Sequence, residues 1–178
     1  MLNTPVQGVD EAAANKTFEA LLWALSRPGL ASNLSAASDE AIIDALIDRE
    51  CRVYSADPQL MSNILCSGAT VSEVKDADHV FLGALRDLAS LDDISKGSAL
   101  YPNEGATVVL RVALNKGRKI RLSGPGVKTV LDIQIAGLPD GFWQNRAEMF
   151  CYPAGFDLFL RDGRQVIGIP RSTIVEVL

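Results

Sequence analysis

The sequence predicts an α/β protein built on a mixed sheet, on three observations. Through the first half, helical periodicity alternates with short β-rich runs, the rhythm of strands joined by helices. The second half turns strand-rich, with apolar runs separated by tight-turn signals, so antiparallel hairpins join the parallel pairs. Hydrophobic residues make up 48 % and charged residues 22 % of the 178, a balance that supplies an ordinary globular core.

The elements follow in order. Residues 9–26 carry Phe18, Leu21, Leu22 and Leu25 at helical spacing, which predicts an amphipathic first helix with these residues as its apolar face. Ser26-Arg27-Pro28-Gly29 stops it, because the residue before proline is pushed out of the α region and Pro-Gly suits a turn. A second helix is expected from Ser38 to Asp48. Ser38 caps it, Asp39 and Glu40 favour its positive end, and Ile42, Ile43, Leu46 and Ile47 form the buried side. "CRVYS" (51–55) reads as a strand. Pro58 suits the first turn of a helix running through Leu60, Met61, Ile64 and Leu65 until Gly68, and "HVFLGAL" (79–85) is the next strand.

A long loop follows, marked by Leu91-Asp92-Asp93, Gly97 and Tyr101-Pro102. Strands are then expected at 106–114, 118–123, 157–160, 166–169 and 173–177, with a helix after Pro139 holding Phe142, Trp143 and Arg146. Asp162-Gly163 is well suited to a tight hairpin between two of these strands. There is no internal repeat, low-complexity tract or linker, so residues 1–178 read as one domain.

Composition excludes several function classes. A net charge of -5 argues against a general nucleic-acid binder, which needs clustered cations to neutralise phosphates. No apolar run approaches the roughly 18 residues of a membrane span, and "MLNTPVQGVDEAAANK" lacks the basic start and apolar stretch of a signal peptide, so a cytoplasmic location is expected. Cys51, Cys66 and Cys151 are scattered and odd in number, as expected of buried, reduced thiols rather than a disulfide framework or zinc site.

Reactive constellations are sparse. Any histidine-based triad must use His79, the only histidine, and its neighbour Asp78 opens the same strand with its side chain on the opposite face. Ser72-Glu73-Val74-Lys75 matches S-x-x-K, but the S-D-N and K-T-G companions are absent. One histidine and dispersed carboxylates offer no metal-ligand spacing. No catalytic residue, metal site or cofactor lysine is assigned.

Two stretches remain as anion-binding or docking candidates. In "NKGRKIRLSGPG" (115–126), a basic hairpin carrying Lys116, Arg118, Lys119 and Arg121 runs into a loop of Ser123, Gly124, Pro125 and Gly126, where backbone amides could approach a phosphate. The alternative reading is a charged hairpin edge that discourages strand pairing. In Pro170-Arg171-Ser172-Thr173, a rigid residue precedes a permanent cation and two hydroxyls. Arg171 is expected to reach outward to a carboxylate or phosphate, with a structural cation closing the sheet end as the other reading.

Taken in order, "TFEALLWALSRPG", "GATVVLRV", "RKIRLSGPG", "GLPDGFWQNR", "YPAGFDLFLRDGRQVIGIPRST" and "VEV" resemble the PhnH family, the H subunits of the bacterial carbon-phosphorus lyase complex. Ser172-Thr173, Tyr152-Pro153 and Phe156-Asp157 stand where family members often have Thr-Thr, Phe-Pro and Val-Asp. The resemblance implies a three-layer α/β/α fold similar to the large domain of pyridoxal-phosphate transferases, without the cofactor. It also implies a role in phosphonate catabolism, in which the complex exchanges the adenine of ATP for a phosphonate and later cleaves the carbon-phosphorus bond. G, I and J subunits are the implied partners, with the L subunit functionally required. The chain is then a homodimer when isolated and non-catalytic by itself, supporting a ribose triphosphate transfer carried by I and radical chemistry carried by J. The rival from another class is a transferase or phosphate-ligand-binding domain acting on nucleotide-like substrates through the basic hairpin 115–126.

Overall fold

The structure is a computed structural model, and it describes residues 8–178. The first helix, α1 (Val9–Ser26), begins with Asp10 and Glu11 against its positive end and stops at Arg27, before Pro28. Next come β1 (Ser32–Asn33), α2 (Glu40–Leu46) and β2 (Arg52–Ser55). A 3₁₀ turn at Pro58–Leu60 leads into α3 (Met61–Cys66), then β3 (Thr70–Val71), β4 (His79–Gly83) and β5 (Thr107–Arg111). The remaining elements are β6 (Ala113–Ser123), β7 (Leu131–Ala136), α4 (Phe142–Met149), β8 (Asp157–Asp162), β9 (Gln165–Ile169) and β10 (Ile174–Val177).

Seven strands form a mixed sheet in the order β1-β9-β8-β5-β4-β2-β3. The run from β8 to β3 is parallel, and β9 and β1 extend it antiparallel. The central strands are apolar on both sides, as parallel strands covered on both faces must be: Val108, Val109 and Leu110 of β5 are all buried. On one face Val109, Phe81 and Phe159 pack against Leu21 and Ala24 of α1, Ile42 and Ile43 of α2 and Ile64 of α3. On the other, Val108, Leu110, Leu158 and Leu160 pack with Leu91, Ile94, Ile120, Leu122, Phe142 and Trp143. In place of a full second helical layer, that face carries a three-stranded antiparallel sheet, β10-β6-β7, together with α4 and the long loop after β4.

Four expectations are corrected. The run 106–114 is not one strand: Val112 separates β5, in the large sheet, from β6, in the small one. Residues 115–117 are not a hairpin turn but a bulge, because Leu114 and Arg118 both pair with Ile135 and Asn115 takes φ 60° to accommodate the extra residues. α1 buries Thr17, Ala20, Leu21 and Ala24, which leaves Phe18 (51 %) and Leu22 (57 %) facing solvent. The small residues let the helix lie close to the sheet, and the large ones point away. Lastly, Cys66 and Cys151 are exposed and Cys51 half-buried, all three unpaired.

Candidate functional site

Three loops singled out by sequence meet at the amino ends of the parallel strands. Gly126 sits against the turn that ends α1, where a Cβ would lie 2.6 Å from the Ser26 carbonyl oxygen and 2.7 Å from Pro28. At φ 83°, Gly126 also holds a backbone conformation that costs other residues about 1 kcal/mol or more. Gly124 lies against the Ser172 carbonyl, and Ser123 pairs with Ile174 where β6 meets β10. The Ser-Arg-Pro-Gly, Ser-Gly-Pro-Gly and Pro-Arg-Ser-Thr segments therefore form one junction. Together with Leu22, Leu25 and Asp157 they border a groove of about 410 Å³ that includes Pro125, Pro170 and Ser172. Leu22 and Leu25 continue into a smaller apolar hollow of about 190 Å³ with Phe18, His79, Thr107 and Phe159.

The junction is held from inside by two arginines. Arg171 does not reach outward. Its Nη2 donates to Asp157 Oδ2 at 2.7 Å, its Nε to both Asp157 oxygens at 3.3 Å and its backbone N–H to Asp157 Oδ1 at 2.7 Å, while Nη1 donates to the Pro102 carbonyl and Nη2 also reaches the Gly105 carbonyl at 3.4 Å. The side chain is 16 % exposed, so it fastens the long loop and the β9–β10 connection to the start of β8. Arg146, on α4, donates to the Pro170 carbonyl at 2.9 Å and the Thr173 carbonyl at 3.3 Å, and stacks over Phe150. Burial pushes its pKa down to about 10, with Asp157 opposing the shift. Thr173 is buried with its hydroxyl unpartnered among the described residues, and of Ser172 and Thr173 only Ser172 lines the groove.

The basic stretch is internally neutralised. Asp132 accepts from Arg121 at 2.8 and 3.1 Å and pairs with Lys119 at 3.0 Å, contacts that hold its carboxyl down at about 2. Arg118 pairs with Asp140 at 3.4 Å. Exposed pairs of this kind add little to stability, but they leave few cations free for a phosphate. His79 lies at the mouth of β4 with a buried Nδ1 that has no partner among the described residues, and desolvation lowers its pKa. Asp78 turns to Arg52, 2.6 Å away, so the two do not form a dyad. Among the described residues, no group of three or more His, Cys, Asp or Glu is placed to hold a metal, and no helix is long and apolar enough to cross a membrane.

Sequence reasoning missed Asp157 and the outward face of α1. A charge at the head of an apolar strand was the available signal for Asp157. The outward Phe18 and Leu22 share the helical spacing of Leu21 and Leu25, and only packing separates the two sets.

Fold and junction define a mixed α/β protein whose candidate site is assembled from clamped loops and an open apolar groove rather than from reactive side chains. The family model described as bacterial phosphonate metabolism protein (PhnH) matches residues 8–176. The chain belongs to this family. It is 33 % identical over 166 residues to the C-P lyase subunit protein HtxG of Stutzerimonas stutzeri, covering 90 % of this chain and 84 % of that protein. It is 30 % identical over 185 residues to the alpha-D-ribose 1-methylphosphonate 5-triphosphate synthase subunit PhnH of Rhizobium meliloti (strain 1021), covering 92 % and 90 %.

Proposed function

We propose that this chain is the H-type subunit of a carbon-phosphorus lyase complex in phosphonate catabolism. In that role it supports transfer of ribose triphosphate from ATP to a phosphonate without catalysing the step itself. The family match over residues 8–176, which takes in all three segments of the junction, carries the reading. The groove along α1 is its docking surface for the G-, I- and J-type subunits, with the L subunit acting in the same reaction, and the isolated chain pairs with a second copy. Arg121, Ser123, Gly124, Gly126, Arg171, Ser172 and Thr173 serve this surface by shaping it, and of these Gly126 and Ser172 line the groove itself. The chain works as a single cytoplasmic domain.

The likeness to a pyridoxal-phosphate transferase domain, with the cofactor lost, belongs to the same reading. The seven-stranded mixed sheet supports it. So do the lysines, since none among the described residues is buried: Lys75 pairs with Glu73 and Lys119 with Asp132, whereas a Schiff-base lysine needs a desolvated pocket. The phosphate-binding alternative through residues 115–126 is not favoured, because the family match over residues 8–176 supports the subunit role and Asp132 engages both Arg121, through two hydrogen bonds, and Lys119. Co-expression with tagged G, I and J subunits, alongside growth on methylphosphonate as sole phosphorus source, tests the proposal. Stoichiometric co-purification and restored growth are expected; a folded chain that does neither would end it.

A further inference from the structure

The large sheet has a switch point at its opposite, carboxyl edge. After β2 the chain leaves through Pro58–Leu60 and α3, whose Leu60 and Ile64 pack on the α1 side of the sheet. After β4, the next strand beside it, the chain leaves through a loop whose Leu85, Leu91 and Ile94 pack on the other side. Where adjacent parallel strands send their connections to opposite faces, a crevice opens outside their carboxyl ends, and ligands of open α/β sheets bind there. A crevice of about 500 Å³ lies at this place, lined by Tyr54 of β2 and Asp57 just beyond it, by Leu82 of β4 and Ala84 and Arg86 just beyond it, and by Arg111 at the end of β5. This volume suits a small molecule.

The chemistry of the walls is specific. Gly83 ends β4 at φ 63°, and a Cβ there would lie 2.5 Å from Arg111 Nη2, so glycine at this position gives the guanidinium its room. The β4–β5 register shifts between Phe81 and Gly83, a bulge of the kind that re-aims side chains beside binding sites. Arg111 is anchored by Asp57 at 3.2 Å and, more loosely, by Asp39 at 3.6 Å, because Asp39 gives its close contact, 2.6 Å, to Arg161. With one hydrogen bond among the described residues and its side chain half-exposed, Arg111 keeps spare donors. Arg86 has no ion-pair partner among the described residues. Asp93 and the second oxygen of Asp87, whose first oxygen accepts from Ser90, supply acceptors. Tyr54, Leu82 and Leu85 form an apolar wall.

We propose that this crevice binds a small hydroxyl-bearing anion, a sugar phosphate or phosphonate ester, with Arg111 and Arg86 on the anionic group and Asp87 and Asp93 on the hydroxyls. The proposal deepens the subunit reading and rests on it for the sugar, since the Rhizobium relative is named for a ribose methylphosphonate product.

The test is calorimetric titration of the full chain with D-ribose 5-phosphate as probe, against ribose and inorganic phosphate. The sugar phosphate should bind at least about tenfold more tightly than either fragment. Arg86→Ala, at an exposed position, should weaken it by about tenfold, and Ala84→Trp, which fills the crevice from an exposed position, should abolish it with unfolding unchanged. A folded chain that shows no saturable binding, inorganic phosphate binding as tightly as the sugar phosphate, or an undiminished signal from Ala84→Trp would each overturn the proposal. Co-purification read on the same samples keeps the two readings apart. A chain that assembles but does not bind the probe loses only the crevice, and one that binds the probe but does not assemble loses only the subunit role.

Discussion

Arg171 and Leu22 lie beside the same groove, and each is where the other would be expected. The arginine is turned inward, tied to Asp157 and to the carbonyls of Pro102 and Gly105, while the leucine is 57 % exposed. Charge holds the loops of this region together from within, while an apolar patch faces out. The two residues therefore separate two jobs. Arg171 and Arg146 keep the junction in shape, and Phe18 and Leu22 leave apolar surface uncovered, the kind of patch that the proposed docking would use.

The largest effect that could break this contrast is on stability. Arg171→Ala should destabilise the isolated chain by about 2–3 kcal/mol, because it strands Asp157 and two loop carbonyls in a partly buried setting. Urea unfolding measures it; a loss under about 0.5 kcal/mol would return Arg171 to the surface role expected from sequence. Gly126→Ala comes next at about 1–2 kcal/mol, from its positive φ and the 2.6 Å approach of the Ser26 carbonyl, and the same unfolding curves report it.

A pH effect sharpens the contrast further. Burial lowers the His79 pKa below 6.5, so on acidification the unfolded chain takes up its proton first. Stability should be constant above pH 6.5 and fall as pH drops below it toward the folded-state pKa, and His79→Gln should flatten that part of the profile. Thermal unfolding between pH 7.5 and 5.5 would show the opposite slope if a carboxylate partner dominated. The smallest effect on stability belongs to Leu22→Asp, within about 0.5 kcal/mol as for an exposed site. The same variant should lose co-purification with partner subunits, and a normally assembling Leu22→Asp chain would remove α1 from the docking surface.

Sequence made the local elements legible because their signals are local. Asp162-Gly163 turns β8 into β9 as expected, Gly68 follows the end of α3, and Phe142, Trp143 and Arg146 do lie on the helix after Pro139. The strand Leu131–Ala136 was not recognised: its alternation of Leu131, Ile133 and Ile135 with Asp132 and Gln134 was legible, but lies between two loops rich in glycine and proline. Other features depended on partners far along the chain. Nothing near Val112 says that the strand changes sheets there, and nothing near Arg171 names Asp157. The three segments of the junction were each visible, but their meeting was not, since Ser26, Gly126 and Ser172 come together only when both sheets have formed.

Folding speed follows from the pairing of Ser32 with Val166. This edge of the large sheet, reinforced by Arg164 donating to the carbonyls of Leu34 and Ser35 and by Arg161 gripping Asp39, closes loops of well over a hundred residues. Such contacts are made late and reward the chain only after most of its entropy has been lost, whereas the β6–β7 hairpin and α1 can form from neighbours alone. The sheet-facing side of α1 is covered partly by α2, close by in sequence, and partly by β9, which is distant in sequence. In the folded chain the sheet and α2 cover Leu21, whereas Leu22, one residue on, stays open.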